Sequence, residues 1–282
     1  MKQIDTFFPE EFSRVSLNNN YITPTNPQNY IYHYTNISCI LSILRNREIW
    51  LMDQSTLNDS AEGTLLSNKV IEMFATKKDK NILSQMFDII KTNTFVSSFS
   101  TFGNLLSQWR CYGDISIGFQ FHEMKYNSHM IEDSKQTNHL TSGFQFSPCQ
   151  YATTRIIEEE AIALKKYFKQ YLRTFKNEDN RGQQHALLTI GQWLFTTKHA
   201  GFFEESEIRG LYYLYQCSPF TSPTGKNYLK YKIAPEMVKR ITVGPSTNHS
   251  DNAQQITDYI SDNPEYNHLE IYESTIPYID KV

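Results

Sequence analysis

Cysteine is the first scarcity in this chain. Four occur in 282 residues, Cys39, Cys111, Cys149 and Cys217, scattered with no C-x-x-C pair and no histidine at metal-ligand spacing. This argues against a cysteine zinc site or a disulfide framework, and the four read as small hydrophobes of a reducing compartment. Long apolar runs are missing too. The start, Met1 to Thr6, lacks the apolar core of a signal peptide, and no stretch approaches the roughly 20 apolar residues of a membrane span. A soluble, cytoplasmic chain without a membrane partner is the expectation. Charge of one sign is also lacking: 27 Lys and Arg against 30 Asp and Glu leave −3. That balance argues against broad electrostatic attachment to nucleic acid, although a local basic patch survives it. There is no internal repeat and no low-complexity segment.

Aromatic residues, by contrast, are plentiful at 14%, with 18 Tyr and 18 Phe. A chain of this length and content buries a full core and is not disordered. Residues 1–29 are rich in Asn and Pro and read as an irregular arm. Residues 30–282 then read as a single domain.

The most informative stretch runs from Phe202 to Leu214. Read as a strand, it puts Glu205, Glu207 and Arg209 on one side, with neighbours on that side roughly 6.5–7 Å apart. Both carboxylates can then reach one small ligand while Arg209 pairs with Glu207. The same pattern also describes an exposed face carrying a surface ion pair.

Earlier in the chain, Tyr30 to Thr35 is aromatic and β-branched, hence a strand, and Thr35 or Asn36 can cap the helix that Ile37, Ile40, Leu41 and Leu44 define. His33, near that strand's end, is placed either to hold a phosphate or ribose or to be a satisfied core histidine. Glu48 to Met52 reads as a strand leading to a polar loop, where Asp59 and Glu62 form a capping box. Helices follow from Leu65 and over about 81–91. Thr94 to Thr101 is a hydroxyl-rich strand, the next helix carries Trp109, and Ile115 to Phe121 alternates as a half-buried strand. Residues 123–142, including His129, Asp133, Lys135 and His139, read as a loop. Two helices follow over about 156–175 and 183–198; Lys165, Lys166, Lys169, Arg173 and Lys176 give the first a basic face that is either solvated or in contact with phosphate. Strands over 228–233, 241–243 and 269–274 and a helix from about Ser250 complete the pattern.

Three pieces, His33 within Y-H-Y-T, Ser98-Phe99-Ser100 and Glu205-x-Glu207-x-Arg209, together resemble the ADP-ribosyltransferase superfamily. Its members carry Arg or His, then Ser-x-Ser or Tyr, then Glu, often as E-x-E, on early, middle and late strands. With Leu57-Asn58-Asp59, they also resemble an uncharacterised bacterial domain family of unknown function. The resemblance implies an α+β fold of two small, mostly antiparallel sheets across a cleft, with flanking helices and a helical insertion at about 156–198 near the mouth. It implies NAD as donor, a protein or nucleic-acid acceptor, an antitoxin or regulatory partner, and a toxin or phage-defence role. Glu207 would accept from the nicotinamide-ribose hydroxyl and Glu205 would polarise the nucleophile. His33, Tyr34, Thr35, Ser98, Trp109 and Arg209 would contact the cofactor or brace the site: Ser98 behind Glu207, Tyr34 or Trp109 stacked on nicotinamide, Arg209 on Glu207 or a phosphate. Where the superfamily has S-T-S, this chain has Ser98-Phe99-Ser100.

Two other classes stay open on the sequence. One is a metal-dependent nuclease or phosphodiesterase using Glu205, Glu207 and Asp59 or Glu62 around Mg²⁺. The other is a non-catalytic binding module.

Overall fold

The computed structural model describes residues 30–54, 63–126, 131–132, 144–174, 180–213 and 218–278. The expected arm over 1–29, the L-N-D motif with Glu62, His129, Asp133, Lys135, His139, Lys176 and Cys217 lie outside them.

In chain order the strands are β1 (Tyr30–Thr35), β2 (Glu48–Asp53), β3 (Thr94–Ser100), β4 (Ile115–Gln120), β5 (Ile131–Glu132), β6 (Phe144–Pro148), β7 (Gln150–Ala152), β8 (Thr197–His199), β9 (Glu207–Tyr213), β10 (Phe220–Thr221), β11 (Asn227–Lys232), β12 (Val238–Val243) and β13 (Glu270–Glu273). The helices are α1 (Ile37–Asn46), α2 (Leu65–Glu72), α3 (Lys77–Thr92), α4 (Leu106–Tyr112), α5 (Phe121–Tyr126), α6 (Thr154–Thr174), α7 (Asn180–Thr196) and α8 (His249–Asp262). Local chemistry explains several boundaries. Asn36 caps α1 by accepting from the Cys39 N–H at 2.9 Å, and Thr76 does the same for Asp79 at the start of α3. Residues 123–142, expected to be loop, contribute the end of α5 and β5.

The fold is mixed α+β with a mostly antiparallel sheet. The expectation of two sheets is corrected: among the described residues, 11 strands join in one sheet, and β7 and β8 form a separate parallel pair. The joining strand is β3. One of its edges pairs with β9 along its whole length, and β9 pairs onward with β6. The other edge is shared. Val96 and Phe95 pair with Met52 and Asp53 of β2, whereas Ser100 pairs with Tyr32 of β1. Two wings therefore diverge from β3, one running β2-β11-β10 and the other β1-β4-β12-β13. The fork between them opens at Ser97, Ser98 and Phe99.

Strand alternation gives each face of β3 and β9 its own core. Phe95, Phe99, Ile208 and Tyr212 join both wings, α1 and α8 in one apolar cluster. Val96, Leu211 and Tyr213 face the other way, against α2, α3, α6 and α7. Hence β9 is buried at every position. The helices read as an insertion are thus a structural layer: Ala161, Leu164, Phe168, Ile190, Trp193 and Leu194 supply much of the second core.

Candidate functional site

The second face of β9 begins with charge rather than carbon. Glu207 and Arg209 point toward the α7 layer, and Arg209, at 1% exposure, forks onto Glu207 through Nε to Oε1 at 2.8 Å and Nη2 to Oε2 at 3.1 Å. Its remaining amine donates to the Phe195 carbonyl at the end of α7. Directly after α7, Lys198 on β8 reaches back and donates to Glu207 Oε2 at 2.8 Å and to Glu205 Oε2. Two cations and two carboxylates form one closed quartet. Taking such charges out of water costs several kcal/mol per ion, which the mutual pairing of the four groups offsets.

Backbone bonds fix the quartet in place. Glu205 does not share a strand face with Glu207, which corrects the sequence expectation. It ends a 3-10 turn, Ala200–Glu205, and Ser206 follows in the left-handed region at φ 45° before β9 starts. Ser100 Oγ donates to the Glu205 carbonyl at 2.8 Å, and Thr101 N–H to that of Ser206 at 3.0 Å. The Glu207 N–H donates to Tyr151 Oη at 2.6 Å. The kink turns Glu205 off the strand, yet Lys198 gathers both carboxylates on one ammonium.

Across the fork stands His33. Its Nδ1–H donates to the Ser98 carbonyl at 3.0 Å, so an imidazole occupies the place where neither wing pairs with β3. A carbonyl only accepts, so the proton sits on Nδ1 and Nε2 keeps its lone pair. Burial lowers the His33 pKa from its ordinary value, opposed by the bond to Ser98. Burial raises that of Glu207, opposed by Lys198 and by a hydrogen bond from Ser98. For Lys198 burial acts downward, but Glu207 and Glu205 outweigh it and hold the ammonium firmly charged.

His33, Glu205 and Glu207 share one open pocket of about 350 Å³, its mouth included, lined also by Tyr32, Ser98, Ser100 and Gln108 among others, with Lys198 behind the two carboxylates. The pocket's enclosed part measures about 60 Å³, well below the roughly 300–1,000 Å³ of small-molecule sites, so a larger ligand would extend through the open mouth. Tyr34 also lines it, but its hydroxyl is engaged, donating to Phe102 O at 2.8 Å and accepting from Leu105 N at 3.0 Å. The loop that follows β3 is thereby tied to β1. Tyr32 lies against Gly103 and Gly118, where a Cβ on either would run into its ring.

Three of the residues named from the sequence stand outside the pocket lining. Trp109 is buried, edge-on to Tyr34 at 4.6 Å between ring centres, with its N–H on Asn104. Thr35 is buried at the end of β1 opposite Ile115. Arg209 sits behind Glu207. Conversely, Lys198, Gln108, Tyr112 and Tyr151 were not singled out from the sequence. Lys198 left a usable signal: a lone lysine after the apolar run Trp193-Leu194-Phe195, where a buried ammonium needs anions. Among the described residues no group of three or more His, Cys, Asp or Glu side chains is arranged to hold a metal ion. Asp59 and Glu62, on which that alternative drew, lie outside the described residues. No helix among the described residues is long and apolar enough to cross a membrane.

Residues 108–210 match the model of a family described as a protein of unknown function (DUF2971). The matched segment contains Gln108, Lys198, Glu205, Glu207 and Arg209, whereas His33 and Ser98 precede it. No curated protein and no solved structure matches the chain.

Proposed function

We propose that the pocket at the fork binds NAD and cleaves its nicotinamide–ribose bond, transferring ADP-ribose to a macromolecular acceptor. The observation that carries this reading is convergence: His33 from β1, Ser98 from β3, and Glu205 and Glu207 at the start of β9 line one hollow although 174 residues separate the first from the last. Breaking a glycosidic bond passes through an oxocarbenium-like state, which a fixed carboxylate stabilises. Glu207 is such a group, immobilised by Arg209. Glu205 is bonded through one oxygen to Lys198 and keeps lone pairs for an incoming nucleophile. His33 Nε2 is an acceptor for a ribose hydroxyl.

The quartet as it stands is neutral. A developing ribosyl cation gains from Glu207 only when Lys198 turns away, and the pyrophosphate of the donor offers that ammonium a competing anion. Ser98 lines the pocket beside Glu207, so a ribose hydroxyl reaching that carboxylate meets Ser98 as well. An ADP-ribosyltransferase-like split of the sheet accords with the two wings diverging from β3.

The test is nicotinamide release from NAD by the purified chain, with a chelator in a parallel tube and the Glu205→Gln variant alongside. Glu205 is the better choice because removing it leaves Glu207 with both cations. The expected result is release that survives the chelator and falls at least about a hundredfold in the variant. Absence of both turnover and a thermal shift with NAD would overturn the reading.

A further inference from the structure

The β2-β11-β10 wing carries an aromatic stack that the pocket does not use, with Trp50 exposed at one end, Phe220 half-buried at the other and Tyr228 buried between them. Trp50 stacks on Tyr228 with ring centres 3.9 Å apart and planes 14° apart, and Phe220 stacks on the other side of Tyr228 at 5.7 Å and 23°. Trp50 is 41% exposed, unlike Trp109 at 6% and Trp193 at 2%. Its indole N–H donates to Glu48 at 3.0 Å, which fixes the ring's orientation. Lys230 lies over the Phe220 ring at 4.7 Å, and Lys230 and Lys232 both reach Glu48, at 3.4 and 2.7 Å. Lys226 is exposed in the turn before β11. Glu48 takes both the Lys230 and Lys232 ammonium groups, which leaves little unpaired positive charge on this face.

The register places this strip relative to the pocket. Met52 pairs with Val96, so Trp50 shares a sheet face with Val96 and therefore with Ser98. Tyr228, Lys230 and Lys232 pair with Met52, Trp50 and Glu48 and fall on that face as well. The register thus puts the strip on the same face of the sheet as Ser98.

We propose that this strip binds single-stranded nucleic acid, with a base stacked on Trp50 and the backbone near Lys226 and Lys230. Flat, pre-oriented rings in sequence form a platform onto which unstacked bases add, and such platforms tolerate any base. The acceptor class this names for transfer rests on the reading of the pocket given above; the binding itself does not. Because few lysines are in surplus, affinity comes mainly from stacking, with a log–log salt slope of no more than about −1.

The test is fluorescence anisotropy of a labelled oligothymidylate of about ten nucleotides, a length one such platform spans, titrated with the full chain without NAD. Saturable binding is expected, weakened roughly tenfold by Trp50→Ala and less by Lys230→Gln, with a duplex of equal length binding more weakly. Trp50→Phe keeps a ring and most of the affinity, which serves if the alanine variant fails to fold. Intrinsic fluorescence gives a second readout, since Trp50 is the exposed indole. No saturable binding at low salt, equal affinity for duplex, an unchanged Kd in Trp50→Ala, or a steep salt slope would each overturn the proposal. Nicotinamide release is assayed without oligonucleotide, so either reading can fail alone.

Discussion

Two buried carboxylates in this molecule show how different the meaning of burial can be. Glu160 on α6 is fully buried and Glu207 on β9 nearly so, at 0% and 6% exposure. Neutral donors hold Glu160: the Trp193 indole on one oxygen at 2.6 Å and the Gln150 amide on the other at 2.9 Å. Cations hold Glu207, and it opens on a pocket. A single ribbon connects the two. Gln150 and Tyr151 lie on β7, paired with Thr197 and Lys198 on β8, so the strands that Glu160 braces are those that deliver Lys198 and Tyr151 to Glu207. Glu160 therefore serves as scaffold, whereas Glu207 is held by more charge than scaffolding requires and faces space a ligand can enter. Access, rather than burial, separates them.

The contrast can be broken most directly by Glu207→Gln. This change leaves Arg209 facing an amide in a dry interior, and the expected loss is about 3–5 kcal/mol of unfolding free energy, read by urea titration. A loss below about 1 kcal/mol would mean the pairing is as weak as a surface bridge. Glu160→Gln should cost less, about 1–3 kcal/mol, because the amide oxygen still accepts from Trp193 while its nitrogen meets the Gln150 amide. Equal losses in the two variants would erase the distinction.

The smallest expected effect concerns the opposite wall of the pocket. The folded His33 pKa lies below its unfolded value of about 6.5. At pH values under 6.5 the unfolded chain then binds the proton more readily than the folded one, so this contribution to stability is whole above the unfolded pKa and is lost as pH falls toward the folded pKa. His33→Gln keeps a donor for the Ser98 carbonyl but cannot titrate. Between about pH 7.5 and pH 5, the wild type should lose more Tm than this variant. Parallel curves would show that His33 does not carry the acid response.

Much of this arrangement was legible in the sequence, for identifiable reasons. Aromatic and β-branched content marked β1, period-two alternation marked β4 and β11, and the 3.6-residue spacing of Ile37, Ile40, Leu41 and Leu44 marked α1. Strand β4, expected to be half-buried, is instead buried on both faces because β1 and β12 flank it within the sheet and both sides are covered. The pairing of Arg209 with Glu207 followed from their spacing on a strand. Glu205 did not obey that logic: alternation cannot register a left-handed residue, and Ser206 at φ 45° breaks the strand just where E-x-E reads as continuous. Lys198 lay hidden because its partners are nine and seven residues away across a reversal of the chain. The fork was illegible for a different reason. It depends on which strands share β3, and pairing across a sheet leaves no periodic trace in any single strand.

That fork has a consequence for the main chain itself. Along the divided edge of β3, Val96 and Ser100 are bonded to strands of different wings, and Ser98 falls between them. Its carbonyl meets an imidazole in place of a neighbouring peptide. A continuous sheet consumes every backbone polar group in its interior. A branching one leaves the vertex carbonyl to a side chain, so a ligand can address the chain's own backbone there by displacing one imidazole, without unzipping a strand.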